Sequence, residues 1–251
     1  MINELEALGL EAWPPRDRVD FDGWVLCESG GFTRRTNSVH PLEAGRLPLG
    51  DKINYCEAFY AERGARTVFK MTPASQPPVL DAVLAERGYR RADPTSVQTV
   101  ELEDGWFERD AQVQIRPAFR MSWLRDCAAL RGFSARDTDA LREILVRIGT
   151  HPEPCGFAWI EERSAALAVG LGVLRSAHLV LFQIATRSDV RRKGLGKRIT
   201  ESLLAWGAEH GARTAMLQVE SANTPAVELY RKLGFEEQYQ YWYREGELVH
   251  R

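Results

Sequence analysis

The residues most able to do chemistry lie in one short run, Val190-Arg191-Arg192-Lys193-Gly194-Leu195-Gly196-Lys197. Four cations and two glycines sit there, directly ahead of an apolar stripe at helical spacing. A helix start leaves backbone N–H groups without an internal acceptor, and its dipole favours an anion. Glycines at Gly194 and Gly196 remove side chains that would hold a phosphate away. The run therefore reads as a cradle for a diphosphate at a helix N-terminus. Two common phosphate loops are excluded by particular residues. A Walker loop needs glycine where Arg191 stands, and Ser or Thr where Arg198 follows Lys197. A dinucleotide fingerprint needs a third glycine where Ile199 stands.

The elements that must position this run are legible on both sides. Leu179–Ala185 reads as the strand entering it, and Gly194 to His210 as the helix leaving it. Leu195, Ile199, Leu203 and Trp206 form the helix stripe, and Gly211 is its C′ residue. Thr214–Val219 is a strand. Thr224 and Pro225 can open a helix carrying Val227, Leu229, Tyr230 and Leu233, which Gly234 ends. Phe235 to Arg244 is a final extended stretch rich in Tyr and Trp. Upstream, Val113–Ile115 reads as a strand, and Arg120–Arg131 and Thr138–Ile148 as helices. Phe157–Glu161 and Leu167–Leu174 read as strands. Gly170 and Gly172 interrupt the second of these, the mark of a bend or a close backbone approach.

The first half is less regular. Trp24–Glu28, Asn37–His40, Thr67–Met71 and Ser96–Leu102 read as strands, and Ile53–Arg63 and Val79–Arg87 as helices. Leu80, Val83, Leu84, Gly88 and Tyr89 match Ala226, Leu229, Tyr230, Gly234 and Phe235 at an offset of 146 residues, as two related halves would. The charged, aperiodic stretch Glu103 to Asp110 marks the boundary. The expected domains are residues 1–108 and 109–251.

Arg191-Arg192-Lys193-Gly194-Leu195-Gly196 resembles the acetyl-CoA pyrophosphate motif of the GNAT superfamily of N-acetyltransferases. Asn223, Ala226, Leu229, Tyr230, Gly234 and Phe235 look like the family's second signature, at matching spacing. The resemblance covers about Gln112 to Arg244. The first half, with Gly31-Phe32-Thr33-Arg34 and Asn37-Ser38-Val39, looks like the degenerate first domain of tandem members and has no cofactor motif. The implied fold is α/β: a mixed, mostly antiparallel sheet flanked by helices, preceded by a smaller partial GNAT-like domain.

That resemblance implies roles. Ile184, Ala185 and Thr186 would lie on a splayed strand that pairs with the pantetheine arm, with the Ile184 N–H polarising the acetyl carbonyl. The backbone from Arg191 through Leu195 and Gly196 to Lys197 would hold the diphosphate, and Asn223 the pantetheine arm. Tyr230 would protonate the departing thiolate. Acetyl-CoA would be the donor and coenzyme A the product. The acceptor would be a primary amine on a small molecule, peptide or protein, attacking the thioester directly. Several relatives carry a glutamate where this chain has Gln218. Glu220, two residues along and on the same strand face, is the substitute base, or the amine arrives deprotonated. The alternative is a non-catalytic acyl-CoA-binding or regulatory module.

Composition bounds the partners. The chain has 251 residues with 33 Lys and Arg against 35 Asp and Glu, a net charge of −2. A broad basic surface for nucleic acid is not expected. Its longest uncharged apolar run, Ala165 to Leu174, is too short for a membrane span, which needs about 18 residues or more. No signal peptide is visible. Cys27, Cys56, Cys127 and Cys155 lie far apart, so free thiols in a reducing cytoplasm are expected, with no metal site. The oligomeric state is not readable.

Overall fold

A computed structural model describes residues 1–103 and 105–247. Asp104, within the expected boundary stretch, lies outside the described residues. The chain forms two compact units. One holds Met1–Val97, Val219–Asn223 and the chain from Glu237 onward. The other holds Gln98–Gln218 and Thr224–Glu236. The sequence boundary after residue 108 cuts the chain once, whereas the compact units take it up in five segments.

The first unit opens with helix α1 (Ile2–Ala12) and the hairpin β1 (Asp17–Phe21) and β2 (Trp24–Glu28). Neither α1 nor β1 stands out in the sequence, because α1 mixes buried and charged positions and β1 is an exposed edge. β3 (Val39–Pro41), α2 (Leu49–Ala61), β4 (Val68–Met71) and α3 (Leu80–Glu86) follow. Its strands lie in the order β1-β2-β3-β4-β11, where β11 is Glu236–Glu245. β3 and β4 are parallel, and the other neighbours antiparallel. Trp24, Leu26, Ile53, Tyr60, Phe69 and Leu84 form the core.

Beside that core, the buried Glu6 carboxylate accepts from Lys70 Nζ at 2.6 and 2.8 Å and from Tyr239 OH at 2.6 Å. Burial by itself would raise the Glu6 carboxyl, but Lys70 and the facing His40 outweigh it and hold it at about 2. Isolated, either buried charge would be costly; paired and hydrogen-bonded, they tie α1 to β4 and β11.

The second unit carries β6 (Gln114–Arg116), α4 (Met121–Arg131), α5 (Ala135–Gly149), β7 (Cys155–Glu162), β8 (Ala165–Arg175), β9 (His178–Thr186), α6 (Leu195–Glu209) and α7 (Thr224–Lys232). It also takes most of β10 (Thr214–Glu220). The strand order is β10-β9-β8-β7-β6. Neighbours are antiparallel except β9 with β10. Successive residues of β7 point to opposite faces. A Cβ on Gly156 would meet Trp206 of α6 at 3.1 Å, while Phe157 packs edge-on against Trp123 of α4 at 5.1 Å. Helices therefore cover both faces. Ser134 and Asp137 form the capping box that starts α5.

The repeat extends beyond the residues that first suggested it. α2 and α6 begin at Leu49 and Leu195, β4 and β10 at Val68 and Thr214, and β5 (Arg90–Glu101) and β11 at Arg90 and Glu236, each pair 146 residues apart. The final strands of the two copies are divided differently: β11 lies in the first unit from Glu237 onward, and β5 starts in the first unit and ends in the second. β11 pairs with β4 in the first unit, and the end of β5 counts with the second, where Leu102 N donates to Arg213 O at 2.8 Å.

Candidate functional site

The site begins in β9. Opposite Gly170 of β8 stand two residues, Gln183 and Ile184, between the pairs Leu171↔Phe182 and Val169↔Ala185. This is a β-bulge, with Gln183 in the left-handed region at φ 53°. Gly170 makes it possible. A Cβ there would stand 2.6 Å from Ile199 Cγ2 and 2.7 Å from Ile184 Cδ1. Gly170→Ala is therefore expected to destabilise the protein by about 1–3 kcal/mol through overpacking. A thermal melt checks it, and an unchanged midpoint would contradict it.

β9 then loses its second neighbour. Its pairing with β10 covers only His178–Val180 against Thr214–Met216, yet β9 runs on to Thr186 and β10 to Glu220. Arg187 N donates to Leu167 O of β8's side at 2.9 Å. Two-residue alternation then turns the Ala185 N–H toward β8 and the Ile184 and Thr186 N–H groups away from it, into the opening beside β10.

The run after β9 turns through Arg192 at φ 61° and Gly194 at φ 78°, and α6 starts. Gly194 is its N-cap, and its carbonyl accepts the first intrahelical bond, from Arg198 N at 3.0 Å. The N–H groups of Leu195, Gly196 and Lys197 thus lack helical acceptors. Gly196 is the meeting point. A Cβ on it would stand 3.6 Å from both Thr186 Oγ1 and Leu229 Cδ2, so the end of β9, the start of α6 and the face of α7 converge there.

The side-chain charges divide into two sets. Arg191, Arg192 and Lys193 are exposed and make no ion pair among the described residues. The others are engaged: Arg187 with Asp189 at 2.6 Å, Lys197 with Glu201 at 3.3 Å, and Arg198 with Asp110 at 2.6 and 2.9 Å. Arg198 serves the loop before β6 rather than the cradle.

Tyr230 sits on α7, 7% exposed, its ring edge-on to Phe235 at 5.8 Å. Its hydroxyl has no hydrogen-bond partner among the described residues. Burial pushes that hydroxyl up to about 12, with the Arg131 charge working the other way. Glu220 ends β10 and is exposed; Asn223 is exposed too, its N–H donating to Glu220 O at 2.9 Å in the turn before α7. These two fall in the segment counted with the first unit. Within the second unit, the expected residues Ile184, Ala185, Thr186 and Gly194 to Lys197 do occupy one strand end and one helix start. Gln183 was missed. Its signal was indirect: the glycine at Gly170, across the sheet from it. All four cysteines are free and buried, and no group of three or more metal-binding side chains occurs among the described residues. No described helix is long and apolar enough to cross a membrane.

Residues 1–244 match the family described as "Probable histone acetyltransferase Rv0428c C-terminal". The chain belongs to this family, within the GNAT superfamily. Its GNAT relatives include an uncharacterized N-acetyltransferase, YobR, from Bacillus subtilis, 27% identical over 97% of this chain and 98% of that protein. A ribosomal protein bS18-alanine N-acetyltransferase from Salmonella typhimurium is 39% identical over 31% of this chain and 51% of its own length. The chain thus spans about half of that relative. The GNAT fold recurs in a GCN5-related N-acetyltransferase from Kribbella flavida, with a TM-score of 0.71, 19% identity, and 98% and 95% of the two chains covered. A tandem GNAT protein from the clavulanic acid biosynthesis pathway aligns with a TM-score of 0.61 at 14% identity, over 99% and 89% of the chains. This GNAT protein is accordingly an acetyltransferase enzyme.

Proposed function

We propose that the second unit transfers an acetyl group from acetyl-CoA to a primary amine. The observation that carries this reading is the convergence at Gly196 of an open strand edge, a helix start rich in free N–H groups, and Leu229 of α7, the helix that also carries Tyr230. Amides from Arg192 to Lys197 would hold the diphosphate, aided by the unpaired guanidinium groups of Arg191 and Arg192. The outward N–H of Thr186 would take the pantetheine arm, with the Ala185 and Asn223 side chains beside it, which leaves the Ile184 N–H for the acyl group.

Acetyl-CoA supplies an activated thioester. The protein's part is to stabilise the charge that builds on the carbonyl oxygen, and Ile184 N–H, fixed by the bulge, is the donor for it. Removing one such donor typically costs about 2.7–4 kcal/mol of transition-state stabilisation. Tyr230 OH would deliver a proton to the leaving sulfur. Glu220 would accept the amine proton, directly or through water, unless the amine binds neutral. The acceptor stays broad: an amine on a small molecule, a peptide or a protein. Relatives named for ribosomal protein alanine and for mycothiol, and a family description naming histones, span that range.

Calorimetric titration with acetyl-CoA tests the reading. A Cβ on Gly194 would meet nothing within 4 Å, so Gly194→Glu brings a negative side chain to the cradle with room for its Cβ, although the positive φ adds local strain. Clear binding by the wild type and at least 100-fold weaker binding by the folded variant are expected. Equal binding would overturn the assignment.

A further inference from the structure

By the 146-residue repeat, a loop of the first unit is the counterpart of the cradle. Leu49 and Gly50 at the start of α2 correspond to Leu195 and Gly196, and Arg46 and Leu47 to Arg192 and Lys193. At this counterpart an anion is already present, and the chain itself supplies it. The Asp22 carboxylate, from the β1–β2 turn, accepts from Arg46 N at 2.8 and 3.0 Å and from Leu47 N at 3.0 Å. Lys52 Nζ approaches the same carboxylate at 3.3 Å. That lysine is fully buried, lies 4.1 Å over the Trp24 ring, and donates to Asp22 O and Ala44 O at 2.6 and 2.8 Å.

The loop is shaped around this group. Gly45 has φ 74°, and a Cβ on it would stand 2.1 Å from Asp22 Oδ2. Pro48 occupies the position of Gly194 and has no N–H to offer. Backbone hydrogen bonds from Leu47 and Arg46 hold the Asp22 carboxyl below its ordinary value, so it is ionised at neutral pH.

We propose that Asp22 is a built-in anion filling the first copy's counterpart of the diphosphate cradle, which closes that copy to cofactor and leaves the chain one cofactor site. The inference rests on the acetyl-CoA reading of the second copy. It gives the first unit a structural role and explains why a repeated fold need not bind twice.

The test combines stoichiometry with stability, using the full chain. Calorimetry with acetyl-CoA should give one equivalent for the wild type. Two equivalents would overturn the proposal. None would overturn the acetyl-CoA reading instead, and the stability arm would then decide the role of Asp22. In that arm, Asp22→Ala should melt below the wild type at pH 7. Asp22→Asn keeps an acceptor oxygen but not the charge, and should melt between them. A carboxyl held low in the folded state stabilises above its unfolded pKa and loses that effect as pH falls through the folded one. The gap between wild type and Asp22→Asn should therefore shrink from pH 7 toward pH 3. Identical melting of all three proteins, or a gap independent of pH, would overturn the proposal. The Asn variant keeps the test decisive if the Ala variant does not fold.

Discussion

Tyr230→Phe is expected to lower kcat about 100-fold with little change in KM for the acyl donor, since a positioned proton donor contributes roughly 10²–10⁴. The substitution removes one oxygen and keeps the ring, so the contact with Phe235 and the α7 packing survive. A hydroxyl without a protein partner leaves no unsatisfied group behind, so folding should be unaffected. Steady-state kinetics with a responsive amine, followed by thiol release, checks the prediction. An unchanged kcat would remove Tyr230 from the mechanism and leave it as a core aromatic. Because the hydroxyl is pushed up to about 12, Tyr230 stays protonated across the neutral and mildly basic range. No basic limb below about pH 10 should arise from it, and a limb on the acid side would report deprotonation of the amine or of its base.

Cutting the chain after residue 108 should yield two pieces that do not fold separately. The physical reason is β11. Tyr239, Tyr241 and Tyr243 are 6%, 2% and 5% exposed, all in the first unit, although they come from the end of the chain. Burying such a side chain is worth about 1.5–3 kcal/mol. Three together approach the total stability of a typical domain, about 5–15 kcal/mol. Polar contacts go with them. Tyr239 OH completes the Glu6–Lys70 pair, and the side chains of Trp242 and Arg244 bond to Asp81 at 2.8 to 2.9 Å. Without β11, Glu6 and Lys70 lose a partner inside a core. Without the first half, three tyrosines face water. Circular dichroism and hydrogen exchange on residues 1–108 and 109–251 should show unfolded or molten pieces, and mixing them should restore structure and turnover. A folded, fully active 109–251 would refute the argument.

Local signals in the sequence carried much of the second copy. Glycines at Gly194, Gly211 and Gly234 mark helix ends because only a residue without a Cβ takes positive φ freely, and all three do so. Apolar spacing fixed the α6 stripe, and the offset of 146 announced the duplication. Such features depend on neighbours within one turn or one strand, so composition and spacing record them. Other features depend on residues far apart in the chain, and only the tertiary structure decided them. The bulge at Gln183 exists because Gly170, across the sheet, leaves room for it. Arg198, next to the cradle in sequence, pairs with Asp110, a partner no spacing rule announces. The aromatic end of the chain read as a strand, but which core it fills followed from pairing with β4. The Asp22 carboxylate resembles any hairpin-turn aspartate in sequence; its meaning comes from two backbone amides more than twenty residues away, set there by the packing of the first copy.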